Sequence, residues 1–223
     1  MSKQQVSFFW FRRDLRLEDN VGLFHALKSK YTVIPLFIFD DAILDSLPYN
    51  DPRVGFIYEN LSKINTQLLK IESALLVKKG NTFAVWESLL EEFDVAAVFF
   101  NKDYEPYAIK RDSAICELLE TNNAIPFSFK DQVIFEEKEI TKADGLPYTV
   151  YTPFKNKWLE KYKSMAPVLE YDATDVFSNF HKCDFVFPSL EQIGFEKSPI
   201  KVKPHNLKFI ANYQDIRDFP ALD

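Results

Sequence analysis

A charged loop directly after the first apolar run of the sequence is the first candidate for binding chemistry. From Arg12 to Asn20 it holds three arginines and three acids in nine residues. In open parallel sheets, ligands lie beyond the carboxyl ends of the strands where the strand order reverses, which in the commonest orders is beside the first strand. The loop is therefore placed to contact a ligand. The alternative is that its charges pair with one another and fix the loop.

A second polar segment, from Asn101 to Pro106, ends the fourth apolar run and is expected at the same sheet edge. An amide and carboxylates in such a crevice can hydrogen-bond the edge of a heteroaromatic ring. The alternative is that Asp103 or Glu105 stabilises the start of a helix that Pro106 opens. For each acid taken singly, the helix start is the simpler interpretation.

Other reactive residue types in the sequence lack the spacing that a site requires. His25, His181 and His205 are dispersed, and Cys116 and Cys183 show no ligand spacing, so we predict no metal site. The chain has no GxGxxG, GxxxxGK[ST] or GxSxG motif. This excludes the usual dinucleotide loop, the P-loop and the serine nucleophile elbow.

The elements that must position these residues alternate along the first 130 residues. Apolar runs predict strands at 6–11, 32–39, 74–78, 96–101 and 125–129, and helical spacing predicts helices from near residue 20 and at 52–71, 83–93 and 106–121. The alternation predicts an α/β fold with a doubly wound, five-stranded parallel sheet in residues 1–130. Residues 131–204 lose this rhythm, apart from a helix at 152–163, and are expected to form a connecting segment.

Composition limits the possible partners. The chain has 223 residues, 47% of them hydrophobic, and a formal net charge of −6. An acidic chain does not hold nucleic acid over its whole surface, so any DNA contact must be local. Lys155, among the aromatics of the segment 152–158, could face DNA phosphate or a partner domain, although a solvated face is the commoner role. With no membrane-spanning run, no secretory signal and two free cysteines, we expect a cytoplasmic protein without a membrane partner.

Taken together and in order, these segments resemble the N-terminal α/β domain of the DNA photolyase/cryptochrome family. The resemblance covers the whole chain and is carried by five blocks: WFRRDLRLEDN from Trp10, PLFIFD from Pro35, NKDYEPY with KRD from Asn101, YTVYTPFKNKW from Tyr148, and YQDIRDFP from Tyr213.

The resemblance implies a light-driven enzyme that splits cyclobutane pyrimidine dimers with reduced FAD and carries a second, antenna chromophore. The antenna would lie in the cleft between this domain and a helical FAD domain, against Arg12, Arg13, Phe39, Asp40, Asp41, Asn101, Asp103 and Glu105. Tyr213 matches a residue near the FAD phosphate, and Arg217 matches an arginine that contacts DNA phosphate. Lys155 is the second predicted DNA contact.

Two departures from the family pattern refine these expectations. The chain ends at Asp223, before the Gly-Thr-Ser stretch that grips FAD, so we expect a monomeric fragment of a longer photolyase that is inactive by itself. Residues 205–223 would begin the helical domain, and damaged DNA would be a partner only of the parent. Tyr107-Ala108 replaces the Asn-Glu of folate-binding members. The antenna therefore stays open between deazaflavin, flavin and methenyltetrahydrofolate.

Two other functions remain as alternatives. A cryptochrome would bind the same chromophores without repairing DNA, and the residues that distinguish it lie beyond Asp223. The damage type, cyclobutane dimer or six-four photoproduct, is also open. A nucleotide-binding domain of the universal stress type would need a glycine-rich phosphate loop, which five scattered glycines do not provide.

Overall fold

The computed structural model describes residues 4–200 and 207–217, and within them one parallel sheet forms the centre of the fold. Its strands are β1 (Gln5–Phe11), β2 (Thr32–Asp40), β3 (Leu76–Gly80), β4 (Asp94–Asn101) and β5 (Ile125–Phe129), in the order β3-β2-β1-β4-β5. The predicted five-stranded parallel sheet is therefore confirmed. Its strand order reverses between β1 and β4, beside the first strand as expected.

Helices α1 (Val21–Leu27), α2 (Asp41–Leu44), α3 (Pro52–Leu69), α4 (Thr82–Glu92) and α5 (Pro106–Thr121) lie between consecutive strands. Helices α6 (Tyr151–Ser164) and α7 (Tyr213–Ile216) follow the last strand. Side chains of Asn20, Asp40, Asp51 and Asn81 accept backbone N–H bonds at the starts of α1 to α4. The sequence did not predict α2, because four residues are too few to show a helical period.

Alternation along the strands produces two cores. In β1, Phe9 and Phe11 point to the face covered by α1 and α3, whereas Phe8 and Trp10 point to the face covered by α4 and α5. Strands that are buried on both faces read as continuous apolar runs, which is why the sequence revealed them. Most of the phenylalanines lie in or against these two layers, whereas Phe56, Phe83, Phe127 and Phe154 are exposed.

The segment predicted as a connector returns across the α1/α3 face. Phe180 is buried in that core and bridges to Val33, whose carbonyl accepts the N–H of His181 at 2.8 Å. Ile193 and Phe195 are buried in the same layer. The connector thus adds apolar surface to the first core instead of forming a second one.

The last part of the described chain is more exposed. Helix α6 buries none of its residues, Lys155 is exposed, and Trp158 is half-buried against Phe135 and Tyr162. Tyr213 is also exposed. Among the helices of the described residues, none has the length and apolar character needed to cross a membrane.

Candidate functional site

The strand-order reversal is closed by a buried polar network. Asn101, at the end of β4, donates from Nδ2 to Asp14 Oδ2 and to Asn20 Oδ1, and its own Oδ1 accepts the N–H of Gly22 at 2.9 Å. Asn20 in turn caps α1. The network ties β4 to the loop that follows β1, and Asn101 therefore faces protein groups at this edge.

Ion pairs between segments cover the same crevice. Arg13 spans Asp103 at 2.9 Å and Glu105 at 2.7 Å, and the Glu105 hydrogen bond raises the pKa of the Arg13 guanidinium. Arg16 pairs with Asp131 at 2.8 Å. These arginines of the loop thus form ion pairs with acids from other parts of the chain, and not with the acids of the loop itself. They leave a cavity of only about 50 Å³ at the reversal point.

A larger cavity of about 350 Å³ opens beside it, beyond the carboxyl ends of β1 and β2. Its apolar wall includes Phe37, Phe39, Val54 and Ile57 from β2 and α3. The opposite wall comes from the first turns of α5 and the first residue of α4. A cavity of this size, apolar with a few converging polar groups, is typical of small-molecule sites.

Six of the eight residues predicted to contact an antenna line this cavity, namely Arg12, Arg13, Phe39, Asp40, Asp103 and Glu105. The structure places the other two elsewhere. Asn101 belongs to the polar network, and Asp41 lies in the first turn of α2, half-buried, with Oδ1 unpartnered among the described residues. The exposed Tyr213 and Lys155, and Arg217 just after α7, are not among the described residues that line the cavity.

Cationic side chains surround the indole of Trp10 at the cavity wall. The guanidinium carbons of Arg12 and Arg111 lie 5.2 Å and 5.0 Å from its ring centroid. Asp112 pairs with both arginines and balances part of their charge. These contacts hold Arg12 in a buried position at the cavity wall, where its Nη2 has no hydrogen-bond partner among the described residues.

A hydrogen bond joins two walls of the cavity. The hydroxyl of Tyr107, in the first turn of α5, donates to Asp40 Oδ2 at 2.5 Å. Burial and this bond to Asp40 raise the pKa of Tyr107 to about 12. The other carboxylate oxygen of Asp40 accepts the N–H of Ala42, so both of its oxygens are engaged.

Two buried polar atoms of the wall have no hydrogen-bond partner among the described residues: Arg12 Nη2 and Thr82 Oγ1. A buried polar group without a partner costs about 1–3 kcal/mol. An aromatic ring with acceptor atoms at its edge has the chemistry that an apolar cavity with such groups in its wall would bind. The residues present therefore fit a flat heteroaromatic chromophore.

Sequence reasoning did not assign Thr82, Tyr107 and Arg111 to the site. Tyr107 and Arg111 lie in the segment after β4 that resembles the family, but their spacing does not show that their side chains line the cavity. No sequence signal marks Thr82. It reaches the cavity only because α4 begins at the same sheet edge.

The sequence of this chain is similar to those of known proteins. A family model described as DNA photolyase matches residues 7–180. A deoxyribodipyrimidine photo-lyase of Synechococcus is 29% identical over 221 residues, covering 96% of this chain and 46% of that protein. A second one, from Halobacterium salinarum, is 29% identical and is covered over 49% of its length. The chain thus spans about half the length of these curated relatives.

Solved structures agree with the fold. A photolyase from Sulfolobus tokodaii, solved with two FAD molecules, is 33% identical with a TM-score of 0.56, over 69% of this chain and 34% of that one. A class III photolyase from Agrobacterium tumefaciens matches 97% of this chain and 42% of its own, with a TM-score of 0.68 and 24% identity. Because the family model spans more than half of the sequence, this chain belongs to the DNA photolyase family.

Proposed function

We propose that this chain is the antenna-binding α/β part of a light-driven DNA repair enzyme, a cyclobutane pyrimidine dimer photolyase. The observation that carries the proposal is the cavity beyond β1 and β2, with its aromatic and aliphatic wall and two unpartnered polar atoms. The deoxyribodipyrimidine photo-lyases among its relatives support the reaction class.

For the chromophore, we propose a flavin or deazaflavin in preference to methenyltetrahydrofolate. Its tricyclic ring would lie against Phe39 and Ile57, with its polar edge toward Arg12. Tyr107 and the buried Ala108 stand where folate-binding members have a polar pair, so the polar contacts for a folate are missing. The Sulfolobus tokodaii photolyase with two FAD molecules supports a flavin at a second site in this family.

The side chains of this chain would bind and orient the ring and exclude water from it. When bound, the chromophore supplies absorption of blue light. The Arg13 pairs with Asp103 and Glu105 hold the loop after β1 against the start of α5, and this fixes one side of the cavity mouth. The Tyr107–Asp40 bond fixes another part of the wall.

In the complete enzyme, energy would pass from the antenna to reduced FAD in a helical domain, and an electron would then pass to a dimer turned out of the duplex. We propose that residues 1–130 hold the antenna, 131–204 connect the domains, and 205–223 begin the helical domain. Tyr213 would approach the FAD phosphate, and Arg217 and Lys155 would contact DNA phosphates.

Chromophore binding is tested by titrating this chain with riboflavin, 8-hydroxy-5-deazariboflavin and methenyltetrahydrofolate, with fluorescence and absorption as readouts. We expect saturable 1:1 binding of one of the first two and much weaker binding of the folate. Replacing Lys155 by alanine, on exposed α6, should leave this binding unchanged. Failure of all three compounds to bind would refute the antenna role, and preferential folate binding would refute the chromophore assignment.

Repair is tested with a chimera in which this chain is joined to the C-terminal FAD portion of the Synechococcus enzyme. Blue light should restore thymine dimers in DNA to thymines with the chimera and not with this chain alone. A folded chimera that binds FAD but repairs nothing would favour the cryptochrome alternative. Light-dependent repair by this chain alone would contradict the proposed division of labour.

A further inference from the structure

We infer that Thr82 is a binding residue of the cavity, which donates a hydrogen bond to a ring carbonyl of the chromophore alongside Arg12. This inference rests on the proposed antenna function and adds to it a residue and a ligand chemistry. Its starting point is that the buried Thr82 hydroxyl, like Arg12 Nη2, has no hydrogen-bond partner among the described residues, and that both residues line the cavity.

The local structure leaves the Thr82 hydroxyl without a role in the protein. Thr82 is the first residue of α4, and the preceding Asn81 already caps the helix by accepting the N–H groups of Phe83 and Ala84. Thr82 as a whole residue is only 4% exposed. A buried hydroxyl without a partner costs about 1–3 kcal/mol, and an acceptor on a bound ligand would remove that cost.

Arg12 supplies a second unused donor on the same cavity. Its side chain is 7% exposed, and Nη1 is bound to Asp112 whereas Nη2 has no partner in the described chain. Stacking near Trp10 and Phe100 holds the guanidinium in place. Both donors therefore belong to rigid, buried parts of the wall.

The carboxylates of Asp40 and Asp103, by contrast, have both of their oxygens engaged. Asp40 accepts from Tyr107 and from the N–H of Ala42, and Asp103 accepts from Arg13 and from the N–H of Glu105. The buried capacity that remains is an N–H and a hydroxyl. The positive end of the α4 dipole acts in the same direction, since it favours electron-rich groups near Thr82.

Because both unpartnered groups can donate hydrogen bonds, the edge of the ligand that faces them should carry acceptors. The pyrimidine edge of a flavin or deazaflavin carries two carbonyl oxygens and therefore offers one acceptor to each donor. The corresponding edge of the pterin in methenyltetrahydrofolate carries one carbonyl and an amino group, which is itself a donor. The hydrogen of the Thr82 hydroxyl, which can rotate about the Cβ–Oγ1 bond, would then help to select a ring edge with two carbonyl groups.

The test combines two variants of Thr82 with flavins altered at one carbonyl. Thr82→Val keeps the shape and removes the hydroxyl, and Thr82→Ser keeps the hydroxyl. We expect Thr82→Val to weaken riboflavin binding by about threefold to tenfold, the effect of one hydrogen bond, and Thr82→Ser to stay within about twofold. The probes are riboflavin, 2-thioriboflavin and 4-thioriboflavin, in which sulfur replaces one carbonyl oxygen and accepts hydrogen bonds poorly.

If the hydroxyl binds a carbonyl, the penalty of Thr82→Val should disappear for one of the two thioflavins and persist for the other. An equal penalty for all three flavins would show a packing effect and overturn the inference. Tight riboflavin binding that is unchanged in Thr82→Val would also overturn it while leaving the antenna function intact. No flavin binding by the unmodified chain would instead refute the proposed function, and this inference with it. Thermal melts of each variant confirm that the proteins compared are folded.

Discussion

Replacing Asn101 by alanine distinguishes a structural role for this residue from a role in ligand binding. Asn101 is 5% exposed, and its side chain makes three hydrogen bonds, to Asp14 at 2.5 Å, Asn20 at 2.8 Å and the Gly22 N–H at 2.9 Å. Alanine removes all three. It leaves the Gly22 N–H buried without its acceptor and the Asp14 carboxylate with one donor fewer.

The expected loss of stability follows from these partners. A neutral hydrogen bond contributes about 0.5–1.5 kcal/mol, and one to a charged group about 1.5–3 kcal/mol. Asp14 keeps the Arg12 N–H and Asn20 keeps the N–H of Leu23, so part of the network survives. We therefore expect Asn101→Ala to lower the free energy of unfolding by about 2–4 kcal/mol, out of the 5–15 kcal/mol typical of a domain.

The assay is urea unfolding followed by circular dichroism, together with the riboflavin dissociation constant of the folded variant. The denaturation midpoint should fall while the m-value stays constant. Riboflavin affinity should remain within about threefold, because Asn101 is not among the residues that line the larger cavity. Asn122→Ala, at an exposed asparagine that bonds one helix carbonyl, is the matched control and should cost under about 0.5 kcal/mol.

Two results would refute this reasoning. One is a loss of unfolding free energy below about 1 kcal/mol, which would mean that the buried network contributes little. The other is a more than tenfold loss of riboflavin affinity at unchanged stability. The second result would support the sequence-based prediction that Asn101 contacts the chromophore.

Three further predictions concern neighbouring groups. Gly22→Ala places a Cβ 2.8 Å from Asn101 Oδ1, so it should lower the free energy of unfolding, measured by thermal melts, by about 1–3 kcal/mol. The loss should be smaller in the Asn101→Ala background, and an equal loss in both backgrounds would contradict the contact. Burial and the bond to Asp40 raise the pKa of Tyr107 from 10.0 to about 12, so the free energy of unfolding should decline as pH rises from 10 to 12. Tyr107→Phe should reduce this decline, and an unchanged decline in that variant would refute the prediction. Burial lowers the pKa of His25, so NMR should show that its ring titrates below pH 6.5. The stability contributed by the neutral ring should be lost as pH drops through that lower pKa. Titration at or above pH 6.5 would refute this prediction.

Most elements of the fold could be predicted from the sequence. The predicted strand at 125–129 and helix at 106–121 match β5 and α5, and the helix at 52–71 ends two residues beyond α3. The largest difference is at the third strand, predicted at 74–78 and observed at Leu76–Gly80. Ala74 and Leu75 are buried like strand residues, so burial alone did not reveal where pairing with β2 begins.

The site was predictable only in part. Residues directly after a strand were placed well, because the carboxyl end of a parallel strand must lie at the ligand edge. Six of those predicted residues line the cavity, and their role as antenna contacts stays a prediction. Asn101 also lies at that edge, but its side chain turns toward the loop after β1, a choice that depends on where α1 begins.

By itself, the sequence determined the doubly wound sheet and the family, and it predicted the edge at which a ligand would bind, because alternation and strand-end motifs are local along the chain. Only the tertiary structure decided that the cavity with the predicted residues lies on the β2 side of β1, since ion pairs between distant segments leave only about 50 Å³ at the reversal point itself. It also brought Thr82 and Tyr107 into the wall. Which side chain of a helix meets a cavity depends on the rotation and approach of that helix, and these are set by packing across the whole sheet.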